Sequence, residues 1–211
     1  MDADTIWASV AAERRYLADL LEGRADEEWE RPSLCTEWRV RDVVAHVAMT
    51  PQPPGPRQLL VGAVRHRFDF DGLNRDMARA WAAARTGAQL VDELRRYADL
   101  RRKPFVTTLE NLLFDTVVHV QDVAIPFGIE HTVPAPVSTA ALDRVWAMGW
   151  PFHARRRLAG LRLVATDTGW TAGEGPAEVR GPALALLLTM TGRPAAHAGL
   201  DGPGAAELAS R

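Results

Sequence analysis

The stretch from Thr107 to Gly128 constrains this chain most. Thr107 and Glu110 fit a capping box at the start of a helix. Leu112, Leu113, Val117, Val120 and Val123 then follow helical spacing to a stop at Pro126-Phe127-Gly128. Apolar side chains flank Asp115 and His119 in the middle of this helix. A helix of this kind belongs inside a bundle, where every polar atom it carries must find a partner.

The rest of the N-terminal part supplies the neighbours. Residues 3–23 read as an amphipathic helix, with Ile6, Val10, Leu17, Leu20 and Leu21 near one face. Residues 27–38 form a connector broken by Pro32 and Ser33, which Trp29, Leu34 and Trp38 would pin to the core. A second helix is predicted over 39–50, through Val40, Val43, Val44 and Val47, and the proline-rich 50–56 ends it. Helical patterns continue over 57–85 and 88–101. Beyond 129–137, where Pro134 and Pro136 interrupt the period, the pattern changes. A helix at about 138–148 leads to a strand at 161–167, two short strands near 170–172 and 177–180, and the very apolar helix 183–191, stopped by Gly192-Arg193-Pro194. The expected class is α+β: a helical bundle with a crossing segment over 1–130 and a small C-terminal α/β lobe over 131–211.

Charge and composition remove several functions. The net charge is −2 over 211 residues, so no basic field draws nucleic acid or an anionic membrane surface. No apolar run reaches the ~18 residues of a membrane span. The N-terminus lacks the basic start and unbroken apolar stretch of a secretory signal, and a cytoplasmic protein is expected. One cysteine, Cys35, excludes an internal disulfide and a Cys-rich zinc site. No base is identifiable near it in the sequence, which favours a buried packing thiol over a nucleophile.

Any metal must therefore be held by His and carboxylates. Asp115 and His119 are four residues apart on one helix, so both side chains share a face and can reach one ion. His46, in the apolar VVAHVAM of the second helix, would supply a third donor across the bundle. Two imidazoles and one carboxylate suit Zn2+, with Ni2+ or Fe2+ as alternative occupants, and leave a coordination position open. The same residues also fit a plainer arrangement, an Asp–His hydrogen bond beside a satisfied core histidine. Asp122 would orient an imidazole, cap the helix or form a salt bridge.

PSLCTEWRVRDVVAH (32–46) and DTVVHVQDVAIPFG (115–128) resemble two signatures of the mycothiol-dependent maleylpyruvate isomerase family, within the wider DinB-like four-helix-bundle superfamily. ATDTGW (165–170), VRGPA (179–183) and TGRPA (191–195) resemble its C-terminal lobe. The resemblance implies a metal on His46, Asp115 and His119. It implies a catalytic arginine that helps bind an anionic substrate, which falls on Arg193, with Arg180 as a weaker candidate; Arg193 would equally cap helix 183–191. The family's isomerase has Glu where this chain has the shorter Asp115. Arg39 stands where relatives often have a Ser or Thr cap, and Thr36 is the candidate replacement.

The function so implied is a metal-dependent thiol transferase or isomerase. It would use mycothiol as thiol cosubstrate on a small electrophile, because coordination strips a thiol of its proton. Two further readings are a metal-binding protein without catalysis and, last, a metal hydrolase, which needs a base such as His66 or Glu37 beside the metal. Monomer and homodimer both remain open.

Overall fold

The computed structural model describes residues 1–67 and 69–210; Phe68, within the 57–85 pattern, and Arg211 lie outside the described residues. The N-terminal part is helical: α1 (Ala3–Leu21), α2 (Asp26–Trp29), α3 (Val40–Met49), α4 (Pro56–Arg65), α5 (Phe70–Ala83), α6 (Gly87–Arg96) and α7 (Leu109–Ala124). Helix α1 packs along α6 and α7, and α3 lies against α5, α6 and α7. Among the described residues, no helix is long and apolar enough to cross a membrane.

Local chemistry explains most of these boundaries and corrects four expectations. The cap of α7 is Thr108, not Thr107: its hydroxyl accepts the Asn111 N–H at 3.2 Å. Thr36 does not start α3. Asp42, in the first turn, accepts the Arg39 N–H at 3.0 Å and also takes the Arg39 guanidinium, so the N-cap donor is satisfied from inside the helix. The 57–85 pattern is two helices, α5 opening at an Asp69 cap that accepts the Gly72 N–H. Pro134 and Pro136 do not break a helix either. They begin α8 (Ala135–Ala147), in whose first turn a missing N–H costs nothing.

The chain leaves α7 through a short 3-10 turn and Gly128, at φ +68°. After α8 and the short α9 (Ala154–Arg157) come β1 (Leu161–Ala165), β2 (Thr171–Ala172) and β3 (Ala177–Gly181). Their order is β2-β1-β3, with β2 antiparallel and β3 parallel to β1; Leu163 stands opposite both Ala172 and Val179. To enter β3 in the parallel sense, the chain must double back past the start of β1. Gly175 makes this passage, and a Cβ there would sit 1.8 Å from the Gly160 carbonyl oxygen. Asp167 accepts the first N–H of α10 (Ala183–Met190) at 2.9 Å, and the Trp170 indole N–H donates to Asp143 on α8. The chain ends in α11 (Ala205–Ala209). A helical bundle thus carries a small α/β lobe.

Two apolar cores result. One gathers Leu17, Leu21, Val40, Val43, Val44, Leu90, Leu94, Val120 and Val123 within the bundle. The other joins Leu142, Val145, Leu163, Val179 and Leu187 of the lobe to Ile6 and Val10 of α1 and to Leu112, Leu113, Val117 and Val118 of α7. Helices α1 and α7 belong to both.

Candidate metal centre

Helix α7 presents Asp115 and His119 one turn apart, and α3 presents His46 to them. His46 Nε2 lies 3.1 Å from Asp115 Oδ2, and His119 Nε2 lies 3.4 Å from Asp115 Oδ1. All three residues offer a ligand atom within 4.8 Å of the others. Donors set tetrahedrally around Zn2+ at bonds of about 2.0–2.1 Å stand about 3.3 Å apart. The two imidazole-to-carboxylate distances, one to each Asp115 oxygen, lie near that edge, and one donor atom from each residue comes within 4.8 Å of the others, so the three side chains could gather around a divalent ion. Both histidines are buried, whereas the Asp115 side chain is 34 % exposed. Approach from solvent is therefore on the Asp115 side.

The two imidazoles are held differently. His119 Nδ1 lies 2.9 Å from Asp122 Oδ2, the arrangement that leaves Nε2 free as a ligand. Asp122, wholly buried, also receives Arg193 Nε on Oδ1 at 3.0 Å and Nη2 on Oδ2 at 2.7 Å. Among the described residues, the buried His46 Nδ1 has no hydrogen-bond partner. Trp38 stacks on His119 at 6.0 Å between ring centres and meets His46 edge-on at 5.6 Å. The connector is tied to α7 by the Leu34 N–H, which donates to the Asp122 carbonyl.

Charges follow from this geometry. Burial pushes the Asp115 carboxyl upward, but the two adjacent imidazoles outweigh it and hold the acid well below the carboxylate range. Burial opposes charge on His119, yet Asp115 and Asp122 lift its pKa to about 9 in the metal-free protein. Burial, and then the Asp122 charge, push the Cys35 thiol up to about 12, as suits a packing thiol.

Other candidates lie elsewhere. His66 faces Asp76 at 3.6 Å, and Glu37 pairs with Arg75, so neither is engaged with the three metal-type donors. Arg180 lies 3.5 Å from Glu178. A part-buried pair has no signal in the sequence: Glu13 meets His131 at 2.9 Å across 118 positions, with Tyr16 stacked on the imidazole.

Residues 10–105 match the model of the mycothiol maleylpyruvate isomerase N-terminal domain. The sequence match to that family is confined to residues 10–105, a little under half of the chain. A crystal structure of the mycothiol-dependent maleylpyruvate isomerase shares the fold, with TM-score 0.62 and 14% identity over 96% of this chain and 93% of that one. A histidine-to-alanine mutant of the isomerase aligns over the same shares, with TM-score 0.55 and 15% identity. No curated protein matches the chain in a sequence comparison. The matched residues include His46 and Trp38; Asp115, His119 and Asp122 lie beyond them.

Proposed function

We propose that this protein is a metal-dependent thiol transferase or isomerase that uses mycothiol on a small electrophile. One observation carries the reading: three metal-type donors from two helices converge within 4.8 Å of one another, in a chain whose residues 10–105 match the mycothiol maleylpyruvate isomerase N-terminal domain. His46, Asp115 and His119 would hold the ion, and the donor set favours Zn2+, with Ni2+ or Fe2+ as alternatives. When bound, such an ion lowers the pKa of a thiol at its open position, so that the nucleophile is present as thiolate at neutral pH.

The chain's own residues then have distinct tasks. Asp115 offsets the charge of the ion and marks the open side. His119 is oriented by Asp122, and Trp38 covers its ring. The thiolate sulfur forms a bond to an electrophilic carbon. Where that carbon carries a leaving group such as bromide, the leaving group departs with the bonding pair and a conjugate remains; where it is an activated alkene carbon, the π pair moves to the adjacent carbon, rotation follows, and return of the pair expels the thiolate and leaves the isomerised alkene. The reading implies a cytoplasmic enzyme of small molecules, with neither nucleic acid nor membrane as partner.

The test loads the protein with Zn2+ and follows conjugation of mycothiol to monobromobimane. A rate well above the uncatalysed one, lost with Asp115→Ala together with the metal, is expected. Full metal occupancy with no rate enhancement would leave a metal-binding role without catalysis.

A further inference from the structure

We infer that Arg193 is a positioning residue: it clamps Asp122 onto His119 and so brings the C-terminal lobe into the construction of the metal centre. This rests on the metal-centre reading above and concerns how that centre is held.

The geometry begins at the end of α10. The Arg193 N–H donates to the Leu188 carbonyl at 2.9 Å and the Gly192 N–H to Thr189 at 3.1 Å, with Gly192 at φ +85°. These two bonds make a Schellman turn, which folds the chain back over the helix end. The T-G-R segment is thus more than a stop signal, because the turn aims Arg193 at α7. There its Nε and Nη2 form a fork on the two oxygens of Asp122, and Nη1 donates to the Thr191 carbonyl at 2.7 Å. All three nitrogens are engaged within the protein, and the side chain is buried. A guanidinium so committed is poorly placed to be the main hold on an anionic substrate.

Its effect passes through Asp122 instead. A carboxylate with one imidazole on it can swing; one held by a two-toothed guanidinium cannot. Asp122 fixed in this way sets both the tautomer and the plane of His119, and hence the direction of Nε2. Among the described residues His46 has no counterpart to this clamp: its Nδ1 is unpartnered, and its ring is held by the Asp115 contact at Nε2 and by the edge of Trp38. The centre is therefore asymmetric, with His119 as its rigid ligand. Lysine would keep the charge at position 193 but lose the fork.

The experiment compares wild type, Arg193→Lys, Arg193→Met and the double variant Asp122→Asn/Arg193→Met, which leaves no lone charge buried. Each is titrated with Co2+ against a chelator, its visible absorption spectrum is recorded, and kcat and KM are measured with mycothiol and monobromobimane. All three variants are expected to bind Co2+ about 10–100-fold more weakly and to shift the Co2+ bands, because the ligand His119 loses its orientation. Arg193→Lys should recover part of the affinity. Folded variants with unchanged Co2+ affinity and spectrum and only a raised KM would overturn the inference, leave the metal centre intact and make Arg193 a substrate contact. A wild-type protein that takes up no Co2+ would overturn the metal-centre reading and the inference with it.

Discussion

His119 carries two demands that pull in opposite directions. In the metal-free protein Asp115 and Asp122 overcome burial and favour its charged form, with a pKa of about 9 against the usual 6.5. The raised pKa means that its contribution to stability is fully present below about 6.5 and is lost as pH rises through about 9. A metal needs the neutral ring, so protons compete with it over the same interval. Thermal melts in a chelator should show wild-type stability falling from pH 7 to 9.5 more steeply than that of His119→Gln. Over that range the affinity for Zn2+ should rise. A wild-type melting temperature as flat with pH as that of the variant would contradict this account.

Among elements, the ends of α3 and α6 depend on one side chain. Arg14, in the middle of α1, is 1 % exposed and donates to the carbonyls of Tyr97 and Ala98, just past α6, and to the Thr50 hydroxyl, just past α3. Both are helix C-termini, where a cation is favoured. Among the described residues no carboxylate pairs with Arg14, and burial lowers its pKa to about 10. Arg14→Met keeps the bulk but strands buried carbonyls, and should cost about 2–3 kcal/mol in a urea titration. Its Co2+ spectrum should match wild type, since the loss is one of helix anchoring. Periodicity marks α1 as amphipathic and leaves Arg14 on the polar side of the account. Only the approach of α3 and α6 turns that position into an interior one.

For the whole molecule, the shared helices matter more than the change of pattern near residue 130. Ile6, Val10, Val117 and Val118 serve the core of the lobe, while Leu17, Leu21, Val120 and Val123 serve that of the bundle, along the same two helices. Melting one core must bare the ends of helices that support the other. The full chain is expected to unfold in one transition, with far-ultraviolet circular dichroism and tryptophan fluorescence superimposing. Two separated transitions would mean that bundle and lobe hold themselves independently.

The sequence by itself determined most of the longer helices and put Asp115 and His119 on one helix face, because helical spacing acts over three or four residues. It also marked His46 as a polar group in an apolar helix, and Gly192-Arg193 as a stop. What it could not contain was distance between remote positions. His46 meets Asp115 across 69 residues and Arg193 meets Asp122 across 71. Those encounters follow from how α3, α7 and the end of α10 pack, and so does the unequal support of the two histidines. Likewise Asp122 had three readings open on its own helix. The tertiary structure selected two at once, since burial left one carboxylate to satisfy both an imidazole and a guanidinium.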